Sequence, residues 1–180
     1  MAWVCPWWFA SVLDNRVRKL LHDPKKVLGP YIQNGQTVVD IGCGPGMFSI
    51  AMTQLVGEQG RVIAADIQEK MLERLKQKSA RAGVTNITIH KAEPDRIGIS
   101  ENVDFALAFY MVHEVPDKAN LFREVVSILK PKSRFLVVEP KLHVSASSFD
   151  NTIKIARACG LVPVSEPKVR LSRAVLFTVA

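Results

Sequence analysis

Short runs of β-branched and apolar residues alternate along the chain with longer segments whose apolar positions recur every three or four residues. Runs of the first kind fall at 37–41, 61–65, 86–91, 103–109 and 134–139. The intervening segments predict helices at about 47–56 and 68–82, from Pro116-Asp117 up to Pro131, and at 147–158. In the second of these, Met71, Leu72, Leu75 and Ala82 share one face, with Lys and Glu opposite. In the third, Leu121, Phe122, Val125, Ile128 and Leu129 repeat at helical spacing, with Asp117 as cap and Pro131 as stop. Gly57, Gly60, Gly83 and Gly160 punctuate the helix ends. Two last runs, 161–166 and 174–179, lie close enough for a hairpin, which puts one antiparallel strand at the far edge of the sheet. Strand-helix alternation of this kind predicts an α/β fold with a mostly parallel sheet.

The length of 180 residues suits a single domain, and 48% hydrophobic content supplies a real core and excludes a disordered chain. Lys and Arg outnumber Asp and Glu by 24 to 17, a formal charge of +7. The basic residues are spread out, with local clusters at 16–19, 25–26 and 130–134, so the charge suits a solvated face as well as an anionic partner. Cys5, Cys43 and Cys159 show no CxxC spacing, which argues against a zinc site or a disulfide framework and fits a reducing cytoplasm. No apolar run is long enough to span a bilayer. The opening MAWVCPWWFASVL lacks the basic region and the small-residue cleavage site of a signal peptide.

Gly42, Gly44 and Gly46 follow the first strand and open the first helix. A tight glycine turn there lets backbone approach a nucleotide-like ligand at the carboxyl end of the strands. The dinucleotide pattern G-x-G-x-x-G requires its third glycine at position 47, which is Met47, and no Gly-Lys-Ser/Thr follows for a phosphate loop. Asp66 ends the second apolar run and has two readings. It can accept from both hydroxyls of a ribose, or it can cap the helix that follows.

VVDIGCGPGMFS followed by RVIAADIQEKML resembles the class I S-adenosylmethionine-dependent methyltransferases, from about Pro24 onward. DFALAFYMVHEVPD and LKPKSRFLVVEP resemble the small-molecule branch of ubiquinone/menaquinone and arsenite methyltransferase-like proteins. The resemblance implies a doubly wound seven-stranded sheet, order 3-2-1-4-5-7-6, with one antiparallel strand. It implies S-adenosylmethionine as cofactor and S-adenosylhomocysteine as product. Asp40 would hold the loop and approach the methionine amino group. Gly42, Cys43 and Gly44 would pack under the methionine and ribose, with Gly46 completing the turn. Asp66 would hold the ribose and Ile67 would pack on adenine. Ala92 and Glu93 would border the adenine through a backbone amide, and Phe109 and Tyr110 would lie beside the methionine moiety. Lys132-Ser133 stands where the family often has two glycines before the fifth strand. Cys43 between the glycines is explained by small size and packing.

Methyl transfer from a sulfonium needs alignment, and needs a base only if the acceptor must lose a proton. The candidates are His113, Tyr110 and Glu139, with Glu114 and His143 nearby. His113 is the best base by its ordinary pKa. The bland alternative has His113 and Glu114 orienting the next helix and Glu139 and His143 supporting them. The spacing of these four matches no recognised metal-ligand pattern. No Asn/Asp-Pro-Pro-Tyr/Phe follows the fourth strand and no Pro-Cys pair exists, which disfavours the common nucleic-acid methylation chemistries. The acceptor is expected to be a small molecule; a catalytically silent cofactor-binding protein and an RNA methyltransferase are the alternatives. Residues 1–23 carry Trp7, Trp8 and Phe9 beside Arg16, Arg18 and Lys19. They predict a lid over the acceptor, a packed helix, or peripheral contact with a membrane surface.

Overall fold

The computed structural model describes residues 21–179. The segment expected to act as lid or docking element, with Cys5, Trp7 and Trp8, therefore lies outside the described residues, apart from its last three positions. The described chain runs α1 (Pro24–Leu28), β1 (Thr37–Ile41), α2 (Met47–Val56), β2 (Arg61–Asp66), α3 (Glu69–Arg81), β3 (Ile87–Lys91) and β4 (Val103–Phe109). A 3-10 turn (Val112–Glu114) follows, then α4 (Lys118–Ile128), β5 (Leu129–Pro140), α5 (Ala146–Ala158), β6 (Leu161–Ser165) and β7 (Ser172–Val179).

The strands form one seven-stranded sheet in the order β3-β2-β1-β4-β5-β7-β6. β1, β2, β3, β4 and β5 pair in parallel, while β7 runs antiparallel to both β5 and β6. The antiparallel strand is thus second from the edge, and β6 takes the edge itself. The hairpin signal alone misplaced it, because a two-strand turn says nothing about which of its strands meets β5. Alternation along the strands divides the core. Val38, Phe105, Leu107 and Leu136 pack with Leu28, Phe48 and Met52 on the face of α1 and α2. Cys43, Ala64, Leu72 and Leu75 extend that face under α3. Val39, Ala106, Phe135 and Val137 pack with Phe122 and Phe149 on the opposite face, under α4 and α5.

Caps and breakers act largely where the sequence places them. Asp117 accepts from the Asn120 amide at 2.9 Å and starts α4. α4 ends at Ile128, however, and Leu129 already belongs to β5. Pro131 pushes the residue before it out of helical geometry, so the helix yields earlier than the proline itself. Lys130 then ion-pairs with Asp104 at 2.8 Å, and the β4–β5 register jumps between Val103–Leu129 and Phe105–Arg134. Lys132 sits in that bulge at φ +66°, a backbone region that suits glycine. In α3, Met71, Leu72, Leu75 and Ser79 are buried, whereas Ala82 lies at the exposed C-terminal cap. Position 82 falls on the same face as Leu75 by helical period, but it lies past Arg81, where the helix has ended.

Candidate functional site at the carboxyl edge of the sheet

β1 ends one residue past Asp40, and the chain turns back through the glycine loop into α2. Gly42, Gly44 and Gly46 all have φ between +53° and +85°. The amides of Gly42 and Cys43 both donate to the Ala65 carbonyl, at 2.8 and 3.0 Å, which ties the loop to the end of β2. A Cβ at Gly42 would strike Met111, and one at Gly46 would strike Leu75. A Cβ at Gly44 would meet nothing within 4 Å. Two glycines thus permit close packing beneath the loop, and the third keeps a space above it clear. Cys43 is buried, and that burial pushes its thiol well above the usual range, so it packs and does not act as a nucleophile.

Two carboxylates flank this space on the α1–α3 face. Asp40 is 2% exposed, and its described partner is Ser49, whose hydroxyl donates to Oδ2 at 2.5 Å and whose backbone amide also donates to the carboxylate. Burial raises its pKa to about 7, and the nearby Asp66 charge adds to the rise. Asp66 accepts from the Gly44 amide on Oδ2 and from the Gln68 amide on Oδ1, each at 2.8 Å. It therefore braces the glycine loop and shapes the entry to α3 at once. The Ile67 amide adds a third, lesser donor, and since a carboxylate has about four lone-pair sites, room remains for another. Burial raises the Asp66 pKa as well, opposed by these backbone donors and by Lys91.

The other expected contacts divide. Ile67 is half-buried beside Asp66, and Ala92 is buried at the end of β3. The Ala92 amide donates to the Asp66 carbonyl at 3.1 Å and the Glu93 amide to the Arg96 carbonyl at 2.9 Å. Both amides are thus engaged within the chain, so any border they form with a ligand runs through side chains and carbonyls. Phe109 is buried on the same face as Asp40, with its ring 4.2 Å from Phe48 and 4.5 Å from Tyr110, centre to centre.

Of the reactive candidates, His113 and Glu139 meet and Tyr110 turns elsewhere. Glu139 is 1% exposed at the end of β5, and its Oε2 lies 2.5 Å from His113 Nδ1. The His143 ring lies parallel to that of His113 at 6.3 Å. Glu114 is 3.9 Å from His113 Nε2. The Tyr110 hydroxyl bonds instead to Ser172 Oγ at 2.6 Å and His22 Nε2 at 3.1 Å. Its backbone is held at φ +61°, a strained conformation often found beside functional sites. Among the described residues no group of His, Cys, Asp and Glu is arranged to hold a metal ion.

Sequence reasoning missed Ser49, Met111 and His22. Ser49 was findable, as a lone polar residue in the apolar start of α2. Met111 and His22 carried no local signal; His22 meets Tyr110 across 88 positions of chain.

Comparison with known proteins gives this geometry a context. Residues 32–161 match the family model described as a methyltransferase domain. The chain is 33% identical over 110 residues to the ubiquinone/menaquinone biosynthesis C-methyltransferase of Klebsiella pneumoniae, covering 60% of this chain and 44% of that protein. It is 34% identical to the enzyme of the same name from Haemophilus ducreyi, covering 60% and 42%. The match thus spans less than half the length of these curated relatives. Among solved structures, a SAM-dependent methyltransferase from Aquifex aeolicus superposes with a TM-score of 0.90 at 25% identity, covering 98% of this chain and all of the other. A Methanococcus maripaludis structure described as a putative S-adenosylmethionine-dependent methyltransferase superposes at 0.79 with 18% identity, covering 100% and 97%, a likeness of fold. With its glycine loop, its paired carboxylates and its 3-2-1-4-5-7-6 sheet, the chain belongs to the methyltransferase domain family, in the class I S-adenosylmethionine-dependent group.

Proposed function

We propose that this chain binds S-adenosylmethionine over the glycine loop and transfers its methyl group to a small-molecule acceptor. The observation that carries this reading is Asp40. It is a carboxylate buried at the end of β1, beside a second carboxylate, with no described cation paired to it. A buried charge is costly without a partner, so the site suits a ligand that brings positive charge. Bound there, S-adenosylmethionine supplies an electrophilic methyl group together with ammonium and sulfonium charge. Asp40 faces the ammonium, Asp66 accepts from the ribose with its remaining lone pair, and the clear side of Gly44 admits the ligand. Phe109 walls the methionine end and excludes water, while Ile67, Ala92 and Glu93 border the adenine. Gly42, Cys43 and Gly46 set the shape of the turn.

The curated relatives are named for C-methylation in quinone biosynthesis, which supports a quinone-like or aromatic acceptor here. A cytoplasmic setting accords with the free thiols of Cys43 and Cys159, and the aromatic and basic N-terminal residues suit a lid or a peripheral membrane contact. No helix among the described residues is long and apolar enough to cross a membrane. Calorimetry with S-adenosylhomocysteine and with NAD tests the cofactor assignment. Binding of the first and not the second is expected; the reverse would remove the methyl-transfer reading.

A further inference from the structure

The two nitrogens of His113 face different surroundings. Nδ1 lies 2.5 Å from Glu139 Oε2, while the His113 backbone amide donates to Oε1 of the same carboxylate at 3.3 Å. Both oxygens of a nearly fully buried glutamate are thus committed to one residue. An ionised carboxylate only accepts, so this contact places the ring proton on Nδ1. The neutral imidazole then carries its lone pair on Nε2. That nitrogen lies beyond hydrogen-bond distance of Glu114, at 3.9 Å, and the ring is 28% exposed. The loop bearing it is pressed against the cofactor turn, since Met111 fills the space where a Gly42 side chain would stand. β1, β4 and β5 are neighbours, so Gly42, His113 and Glu139 all lie over adjoining strand ends.

We propose that His113 Nε2 takes the proton that the acceptor sheds as it attacks, with Glu139 as the residue that positions the ring. This rests on the methyl-transfer reading above. The acceptor's electron pair forms the new bond to the methyl carbon, and the pair of the methyl–sulfur bond stays on sulfur. The proton of the attacking atom passes to Nε2. The resulting imidazolium faces Glu139 from β5 and Glu114 from its own turn, against Lys118 from α4, with the His143 ring alongside. Burial lowers the His113 pKa, but the Glu139 bond and the two carboxylate charges outweigh burial and Lys118, and the net shift is upward. Such a base serves an acceptor that arrives still protonated, such as an aromatic hydroxyl, and has no task on one that is already anionic.

Nitrogen NMR of the histidine rings across a pH series tests this without knowledge of the acceptor. His113→Asn identifies the signal. In the free protein the neutral ring is expected to carry its proton on Nδ1. S-adenosylmethionine and S-adenosylhomocysteine differ by the methyl group and its positive charge. If Nε2 faces the reacting centre, the His113 midpoint falls to lower pH with the charged ligand than with the neutral one. Glu139→Gln should mix the two ring tautomers and lower the midpoint, which a purely packing role would not do. Equal midpoints with both ligands bound, or a proton on Nε2, would overturn the proposal and leave the cofactor reading standing. Calorimetry showing that neither ligand binds would overturn the cofactor reading, and this proposal with it.

Discussion

Asp40 and Glu139 are both almost wholly buried carboxylates at the carboxyl edge of one sheet, on opposite faces. Glu139 meets an imidazole and a backbone amide of the same residue. Among the described residues Asp40 meets only Ser49, through its hydroxyl and its backbone amide, neither of which carries charge, and its pKa stands at about 7. The chain supplies the counter-group on one face and leaves it to a ligand on the other. A carboxylate satisfied from within holds a neighbour in place, whereas one left short of positive charge reads as half of a binding site.

The largest test of this contrast is the pH dependence contributed by Asp40. Its folded pKa is raised, so the stability it contributes is full below about 4 and is lost as pH rises through about 7. Asp40→Asn removes that loss. The stability of the variant relative to wild type should therefore grow by on the order of 3–4 kcal/mol between pH 4 and pH 8 in urea titrations. A difference that stays flat would mean that Asp40 is not short of a partner. Asp66→Ala comes next, with S-adenosylhomocysteine affinity falling by roughly 10- to 100-fold in calorimetry, as expected for lost bonds to a charged acceptor. Unchanged affinity would reduce Asp66 to a brace for Gly44 and the helix entry.

On the other face, His113→Ala should destabilise the fold by about 1–3 kcal/mol, because Glu139 loses its partner. His113 also has a raised folded pKa, so its contribution is full below about 6.5 and falls as pH rises through the folded value. The penalty measured by urea unfolding should shrink at alkaline pH, in a window above that of Asp40. A pH-independent penalty would separate the pair from any protonation role. The smallest effect lies outside both faces. Lys132→Gly relieves the φ of +66° and should raise stability by about 0.5–1 kcal/mol, with cofactor affinity unchanged. A change in affinity there would show that the β4–β5 turn is coupled to the site.

How much was legible follows from where each signal lies. The strands, the glycine loop and the Asp117 cap depend on residues within a few positions of one another, and all were readable. The placement of β6 and β7 was not readable from the hairpin pattern; the family resemblance supplied it. The end of α4 shifted because Pro131 acts on the residue before it and Lys130 is drawn to Asp104. At the site, Asp40 and Asp66 were visible as residues, but their shared burial on one face was not. Tyr110 and His113 were both candidates along the chain, three positions apart, with His113 the better base, but where each side chain goes was not readable. The strained backbone at Tyr110 sends its hydroxyl to Ser172 and His22, while His113 goes to Glu139.

By itself the sequence determined the α/β alternation and the glycine turn that excludes a dinucleotide loop. It also determined the set of polar residues at the strand ends, because hydrophobic period and glycine chemistry are local. Only the tertiary structure decided which of those residues meet. Pairing β5 beside β4 brought Glu139 to His113 across 26 positions, and pairing β2 beside β1 put Asp66 on the Gly44 amide across 22. Contacts of that reach are set by strand order and register, which no short window of sequence contains.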